Sequence, residues 1–319
     1  MKDFDVIVYH GPCSDGSASA WCALKYKNIE KKIPCAAGAV DKINPDVFLD
    51  MNVLFVDLCP DTKSLDIISE CAKSIVILDH HESAFNMIKN KYEIIHSDNI
   101  LNYTTKNITV IFDMKRAGCQ IVWDYFFDNF DKTERPWFIN YIADRDLWNW
   151  ELPNSKEINA SLFHKDYTCI EKMNELENFN ENDIKEITNY GKIVLEIQNK
   201  DLQCLYNSAI ETTFTQNNYT YNVWLVDAPS NLKSEIGNML TKKPLKSDKN
   251  KMPDFSAIWT YDFKSNNWGI SLRGSDIVDL SIISKTYNEK CGGHKNASGF
   301  TLHKTDTLHD LFKITDIVK

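Results

Sequence analysis

The chain has 319 residues, 43% of them hydrophobic and 25% charged, and a net charge of −9. That is length for about two domains, each with its own core, and the composition of an ordinary globular protein. The acidic balance excludes an extended basic surface of the kind that holds long duplexes. No apolar run reaches the ~18 residues that span a bilayer, and no leader pattern opens the chain, so a soluble, cytoplasmic protein is expected. Nine cysteines without a CxxC pair fit neither a disulfide framework nor a zinc ribbon, and read mostly as small buried hydrophobes.

The first 150 or so residues alternate strand-like and helix-like segments, which predicts an α/β fold: a mainly parallel sheet with helices on both faces. Strands are expected at 4–9, 33–38, 52–57, 74–79, 93–96 and 108–112, and helices at 16–27, 62–72, 83–90, 117–130 and 136–144. Apolar residues at helical spacing from Ile184 to Leu205 predict one long connecting helix within 181–210. Strands at 219–226, 255–262 and 267–273 and a helix near 231–240 then describe a smaller α/β domain over 211–319. A lysine-rich stretch (Lys233, Lys242, Lys243, Lys246, Lys249, Lys251) reads as a solvated loop, with guidance of an anionic substrate as the alternative.

Three apolar strands end in side chains able to bind metal. His10 closes Asp5–Tyr9, Asp57 closes Asn52–Val56, and Asp79-His80-His81 closes the run through Ser74–Leu78. The carboxyl ends of strands are where open α/β sheets hold ligands. After His10 comes a turn with Cys13, then Asp15 and Gly16 at a helix start. A fourth element is Asp144-Arg145-Asp146. With a helix ending at Asp144, one carboxylate points inward; Asp144 is taken as the ligand, and Asp146 as the partner of Arg145. Carboxylates with a minority of imidazoles suit Mn²⁺ or Mg²⁺, and two such ions make a site for in-line phosphoryl displacement. Cys13 leaves two readings open, a thiolate ligand favouring iron, cobalt or zinc, or a protonated neighbour of the metals. Trp148, Trp150, Phe163, Trp224, Trp259 and Trp268 read mostly as core, with base stacking as the alternative.

These motifs resemble the DHH phosphoesterase superfamily: Asp79-His80-His81 matches its naming motif, and Asp57 and Asp144 match its metal-binding aspartates. Arg273 and the run Gly292-Gly293-His294 resemble its C-terminal substrate domain, although Cys291 stands where the loop's first glycine is usual. The resemblance implies a metal-binding catalytic domain over 1–180. His10 and Asp57 would bind one divalent ion, and Asp15, the bridging Asp57, His80 and Asp144 the other. His81 would contact the scissile phosphate, Asp79 would orient the histidines, and Arg273 and His294 would clamp a substrate phosphate across the interdomain cleft. The implied activity is hydrolysis of short oligonucleotides or small nucleotides. A phosphatase of polyphosphate, pyrophosphate or nucleotide monophosphates and a non-catalytic scaffold are the alternatives.

Overall fold

The computed structural model describes residues 3–94, 100–127, 135–216, 218–275, 277–287, 293–303 and 308–313. The chain forms two compact units, Met1–Glu196 and Ile197–Lys319. The fold is α/β throughout, with one sheet in each unit. No helix of the described residues is long and apolar enough to cross a membrane.

In the first unit, β1 (Val6–His10), β3 (Asn52–Val56), β4 (Ser74–Asp79) and β6 (Ile108–Asp113) run parallel at the centre. β2 (Lys31–Cys35) joins β1 in parallel at one edge, and β5 (Ile100–Thr105) joins β6 antiparallel at the other, for a strand order of β2-β1-β3-β4-β6-β5. The central strands are covered on both faces, which is why they read as unbroken apolar runs. On one face α1 (Ser14–Tyr26), α4 (Gly118–Phe127) and α5 (Trp137–Asp146) pack on Ile7, Leu54, Val56 and Leu78, joined by α6 (Ser155–His164) and α7 (Ile170–Leu176). On the other, α2 (Thr62–Cys71) and α3 (Glu82–Lys91) pack on Val6, Val8, Phe55 and Ile77. Each of these strand side chains is 0 or 1% exposed, and burying one contributes about 1.5–3 kcal/mol. The chain leaves β1 for β2 on one side and returns to β3 on the other, which puts the reversal of strand order between β1 and β3. Ligands of open α/β sheets sit outside the carboxyl ends of strands at such a point.

Two expectations change here. The strand expected at 93–96 does not begin at 93 or 94, and residues 95–96 lie outside the described ones; the edge strand is β5, whose alternating exposure is that of a half-covered strand. Helix α5 runs to Asp146, two residues beyond the expected end, with consequences for the site. Of the helix expected at 117–130, α4 accounts for Gly118–Phe127, and 128–130 lie outside the described residues. α6 and α7 were not expected, being short and weakly periodic.

Helix α8 (Glu181–Ser208) is continuous and passes from the first unit into the second. There the sheet order is β11-β12-β10-β9-β8-β7-β13, from β7 (Ile210–Gln216), β8 (Tyr219–Asp227), β9 (Phe255–Asp262), β10 (Asn267–Gly274), β11 (Gly293–His294), β12 (Ala297–His303) and β13 (Phe312–Lys313). Among the described residues of this sheet, only β8 and β9 pair in parallel. Helix α9 (Lys233–Thr241) packs on Trp224, Val226 and Ile258. The other face carries Phe214, Phe255, Ile270 and Leu272 under α10 (Leu280–Tyr287); α11 (Leu308–Leu311) precedes β13.

Candidate metal centre

The carboxyl ends of β1, β3 and β4 bring the predicted side chains together. Asp57 is the hub. It directly follows β3 with a left-handed backbone, φ 53°, and is 1% exposed. Its Oδ2 lies 3.3 Å from His10 Nδ1 and its Oδ1 3.2 Å from His80 Nε2. A non-glycine residue in this conformation costs of order 1–3 kcal/mol and persists only where its surroundings fix it. Asp79, buried at the end of β4, accepts His81 Nδ1 at 2.7 Å and the backbone amides of His80 and His81 at 2.7 and 3.3 Å. It thereby sets the orientation of the His81 ring.

Asp15 sits on the first turn of α1, where its Oδ2 lies 3.6 Å from His80 Nε2. It is held by the first amides of α4, the neighbouring helix on the same face of the sheet: Gly118 N donates to Oδ2 at 2.7 Å and Cys119 N to Oδ1 at 2.9 Å. Gly118 was not predicted, and only a glycine fits: a Cβ there would lie 2.8 Å from Asp57 Cβ and 3.0 Å from Asp15 Oδ2. Gly16 likewise clears the backbone of His10, whose carbonyl oxygen a Cβ would approach to 2.0 Å. The start of α4 is fixed by an ion network in which Arg116 bridges Asp113 and Asp124, and Arg135 also binds Asp124.

The two carboxylates of the fourth element do not take the places expected of them. Because α5 continues to Asp146, residues 144 and 146 are turned about 200° apart at 3.6 residues per turn. Asp146 Oδ2 lies 3.4 Å from His80 Nε2. Asp144 faces the following turn, where its carboxylate accepts Glu151 N at 3.0 Å and Leu152 N at 3.3 Å. Asp144 therefore organises the turn, and Asp146 joins the cluster. Cys13 stands at the N-cap position of α1 without a side-chain hydrogen bond to the helix and belongs to neither of the two metal-competent groups in this unit. Those groups are His10, Asp57 and His81, and Asp15, His80 and Asp146, each offering atoms within 4.8 Å of one another.

So many acidic groups shape one another's ionisation. Burial, with repulsion from Asp57 and Asp146, pushes the Asp15 carboxyl up to about 8. Burial also raises Asp146. At Asp57 burial opposes the charge, but contacts from His10 and His80 and the charges of His81 and His80 outweigh it and hold the carboxyl far below the usual range. His10, His80 and His81 are raised, burial being overcome chiefly by Asp57 for His10 and His80 and by Asp79 for His81. Burial pushes the Cys13 thiol far up, reinforced by Asp57, Asp146 and Asp15.

The donor set fits divalent cations. Asp79 Oδ2 is buried without a hydrogen bond, and Asp57 Oδ1 has the His80 imidazole at 3.2 Å but no well-aligned hydrogen bond; buried acceptors of this kind are costly unless positive charge meets them. The mixture of carboxylate oxygens and imidazoles is the one that Mn²⁺ and related ions take.

In the second unit, Ala297 on β12 pairs with Arg273 on β10 and with His294 on β11, which places Arg273 and His294 on one row with a small residue between. Gly293 opens β11 at φ +143°, and Gly292 lies outside the described residues. Arg273 Nη2 donates to Ser234 Oγ at 2.9 Å. Lys233, at the start of α9, donates to Thr260 Oγ1 at 3.2 Å, and its ammonium is lowered by burial and by the charge of Arg273. Lys243, in contrast, lies over Trp224 and Tyr206, 4.0 and 4.2 Å from the ring centres, and serves the local packing.

No protein-family model matches the chain. It is similar to a curated protein of Acanthamoeba polyphaga mimivirus named "Uncharacterized protein R106", at 28% identity over 316 residues and 92% of this chain; the chain spans 66% of that protein's length. Among solved structures it is similar to RecJ of Thermus thermophilus in complex with Mn²⁺ (11% identity, TM-score 0.49, 95% of this chain and 50% of that one). It is also similar to the pGpG-specific phosphodiesterase PggH of Vibrio cholerae (11%, 0.38, 95% and 94%) and to CDC45 of Entamoeba histolytica (10%, 0.45, 94% and 92%). With each of these TM-scores below 0.5, what the site does is derived from its own side chains.

Proposed function

We propose that the chain is a divalent-metal-dependent phosphoesterase acting on short oligonucleotides or related small nucleotides. The observation that carries this reading is the pair of three-residue donor groups that meet at the Asp57–His80 contact of 3.2 Å. His10, Asp57 and His81 would hold one ion and Asp15, His80 and Asp146 the other, a division that makes His81 a ligand and not the phosphate contact the resemblance implies, and leaves Asp57 on one ion and not as a bridge; Mn²⁺ is the best match to the donors. Bound there, such ions would supply Lewis-acid activation of the attacking water and of the phosphoryl oxygens. The protein's own contribution is to keep these donors in place: Asp79 orients His81, and the α4 amides fix Asp15. The first unit carries the chemistry. In the second, Arg273, Lys233 and His294 hold a substrate phosphate, a task suited to the paired donors of an arginine. The resemblance of Asp79-His80-His81 and Gly292-Gly293-His294 to the DHH superfamily supports the same assignment.

The test is incubation of purified protein with di- to hexanucleotides, cyclic dinucleotides and pyrophosphate under Mn²⁺, Mg²⁺, Co²⁺ and Zn²⁺, with products read by chromatography. Release of mononucleotides that stops on chelation is expected. Hydrolysis of pyrophosphate alone would overturn the nucleotide assignment, and no hydrolysis under any metal would overturn the enzyme.

A further inference from the structure

We propose that Trp148 and Trp150 form a nucleobase-stacking site beside the metal centre, so that the reacting phosphate is one carried by a nucleoside. This rests on the proposed function and narrows its substrate class. Asp146 ends α5 within 3.4 Å of His80. Trp148 follows two residues later, so its Cα stands no more than about 7.6 Å from that of Asp146. A nucleotide's base and phosphate are separated by a distance of that order.

The turn that carries the two indoles is strained. Trp148, Trp150 and Asn154 all have left-handed backbones, φ 59°, 57° and 56°, at a cost of order 1–3 kcal/mol each. Asp144 holds them there: its carbonyl oxygen accepts Asn149 N at 2.9 Å and Trp150 N at 3.4 Å, and its carboxylate accepts the next two amides. Nothing in core packing repays this strain. Leu147 packs on the apolar core of the unit, whereas neither tryptophan belongs to a core cluster, and both are half-buried. The rings meet edge to face, centroids 5.0 Å apart and planes at 75°, so the indole that offers its edge keeps its faces clear of the other for a third aromatic. Lys156 Nζ lies over the Trp150 ring, 5.7 Å from its centre, so it covers one face of that indole and brings a cation to the pair. Backbone strain that presents aromatic surface next to a reactive cluster is the pattern of a ligand clamp. Bases of every kind stack on such surfaces.

The experiment is calorimetric titration of the full chain, with and without added Mn²⁺, using 5′-AMP and inorganic phosphate as probes. Trp148→Leu and Trp150→Leu should each weaken 5′-AMP about tenfold, the loss of one stacking contact, and leave inorganic phosphate unchanged. Trp148→Phe, which keeps a ring, should stay within about threefold of the parent. Melting curves check that each variant folds, and Trp150→Leu reads the same site if Trp148→Leu does not. The proposal is overturned if the parent binds 5′-AMP no better than phosphate, or if both leucine variants bind 5′-AMP as the parent does. Base-dependent binding without any hydrolysis would overturn the proposed function and leave the stacking site standing. Hydrolysis of bis-p-nitrophenyl phosphate without base-dependent binding would do the reverse.

Discussion

The contrast between Asp144 and Asp146 gives the sharpest mutational prediction, because two carboxylates of one helix end are assigned opposite kinds of work. In Asp144→Ala, two amides at 3.0 and 3.3 Å lose a carboxylate that is 6% exposed. Hydrogen bonds to a charged group contribute about 1.5–3 kcal/mol each, and with the second one long the sum is about 3 kcal/mol. In a unit of this size that lowers the melting temperature by about 6–12 °C. Asp146→Ala removes a charge that repels Asp15 and Asp57, so the metal-free protein should melt no lower than the parent. What it should lose is the rise in melting temperature on adding Mn²⁺, a gain that depends on ligand affinity. Thermal melts with and without Mn²⁺ read both effects. The reasoning fails if Asp144→Ala melts like the parent and loses the Mn²⁺ response, or if Asp146→Ala keeps that response in full.

Other predictions concern the same cluster. Metal-free protein should lose stability as pH rises from about 4 to about 8: the raised Asp15 contributes fully below its ordinary value of 3.8 and loses that contribution as it ionises, up to about 8, and the raised histidines contribute fully below their ordinary value of 6.5 and lose that contribution as they deprotonate. Asp57, lowered, loses its contribution only at acid pH, outside that window. Mn²⁺ should flatten or reverse the slope, because its binding displaces those protons; a slope that is the same with and without metal would count against the cluster as a metal site. Gly118→Ala should impair metal binding although residue 118 offers no ligand, since the added methyl meets Asp57 Cβ at 2.8 Å; unchanged Mn²⁺ affinity would refute that. Arg273→Ala should lower kcat/KM strongly on oligonucleotides and spare bis-p-nitrophenyl phosphate, and equal losses on both would place Arg273 at the scissile phosphate.

Much of the first sheet was legible because its central strands are buried on both faces and so are spelled as apolar runs, and His10, Asp57 and His80 terminate those runs. Less legible was whatever depends on where a helix stops. Periodicity marks the face of α5 but not its last turn, and two extra residues moved the inward carboxylate from Asp144 to Asp146. Gly118 carried no visible signal, since its role lies in contacts with Asp15 and Asp57, 103 residues away in sequence in the case of Asp15. The tryptophans after α5 read as core because composition does not report a left-handed backbone; only the turn geometry shows them outside the core clusters.

The central claim is that two divalent ions bind side by side, one on each of the donor groups that meet at the Asp57–His80 contact. Anomalous diffraction from crystals soaked in Mn²⁺ tests it most directly. The account predicts two peaks, one bonded to His10, Asp57 and His81 and the other to Asp15, His80 and Asp146. Peaks absent from this cluster, or a peak bonded to Asp144 with none at Asp146, would contradict it.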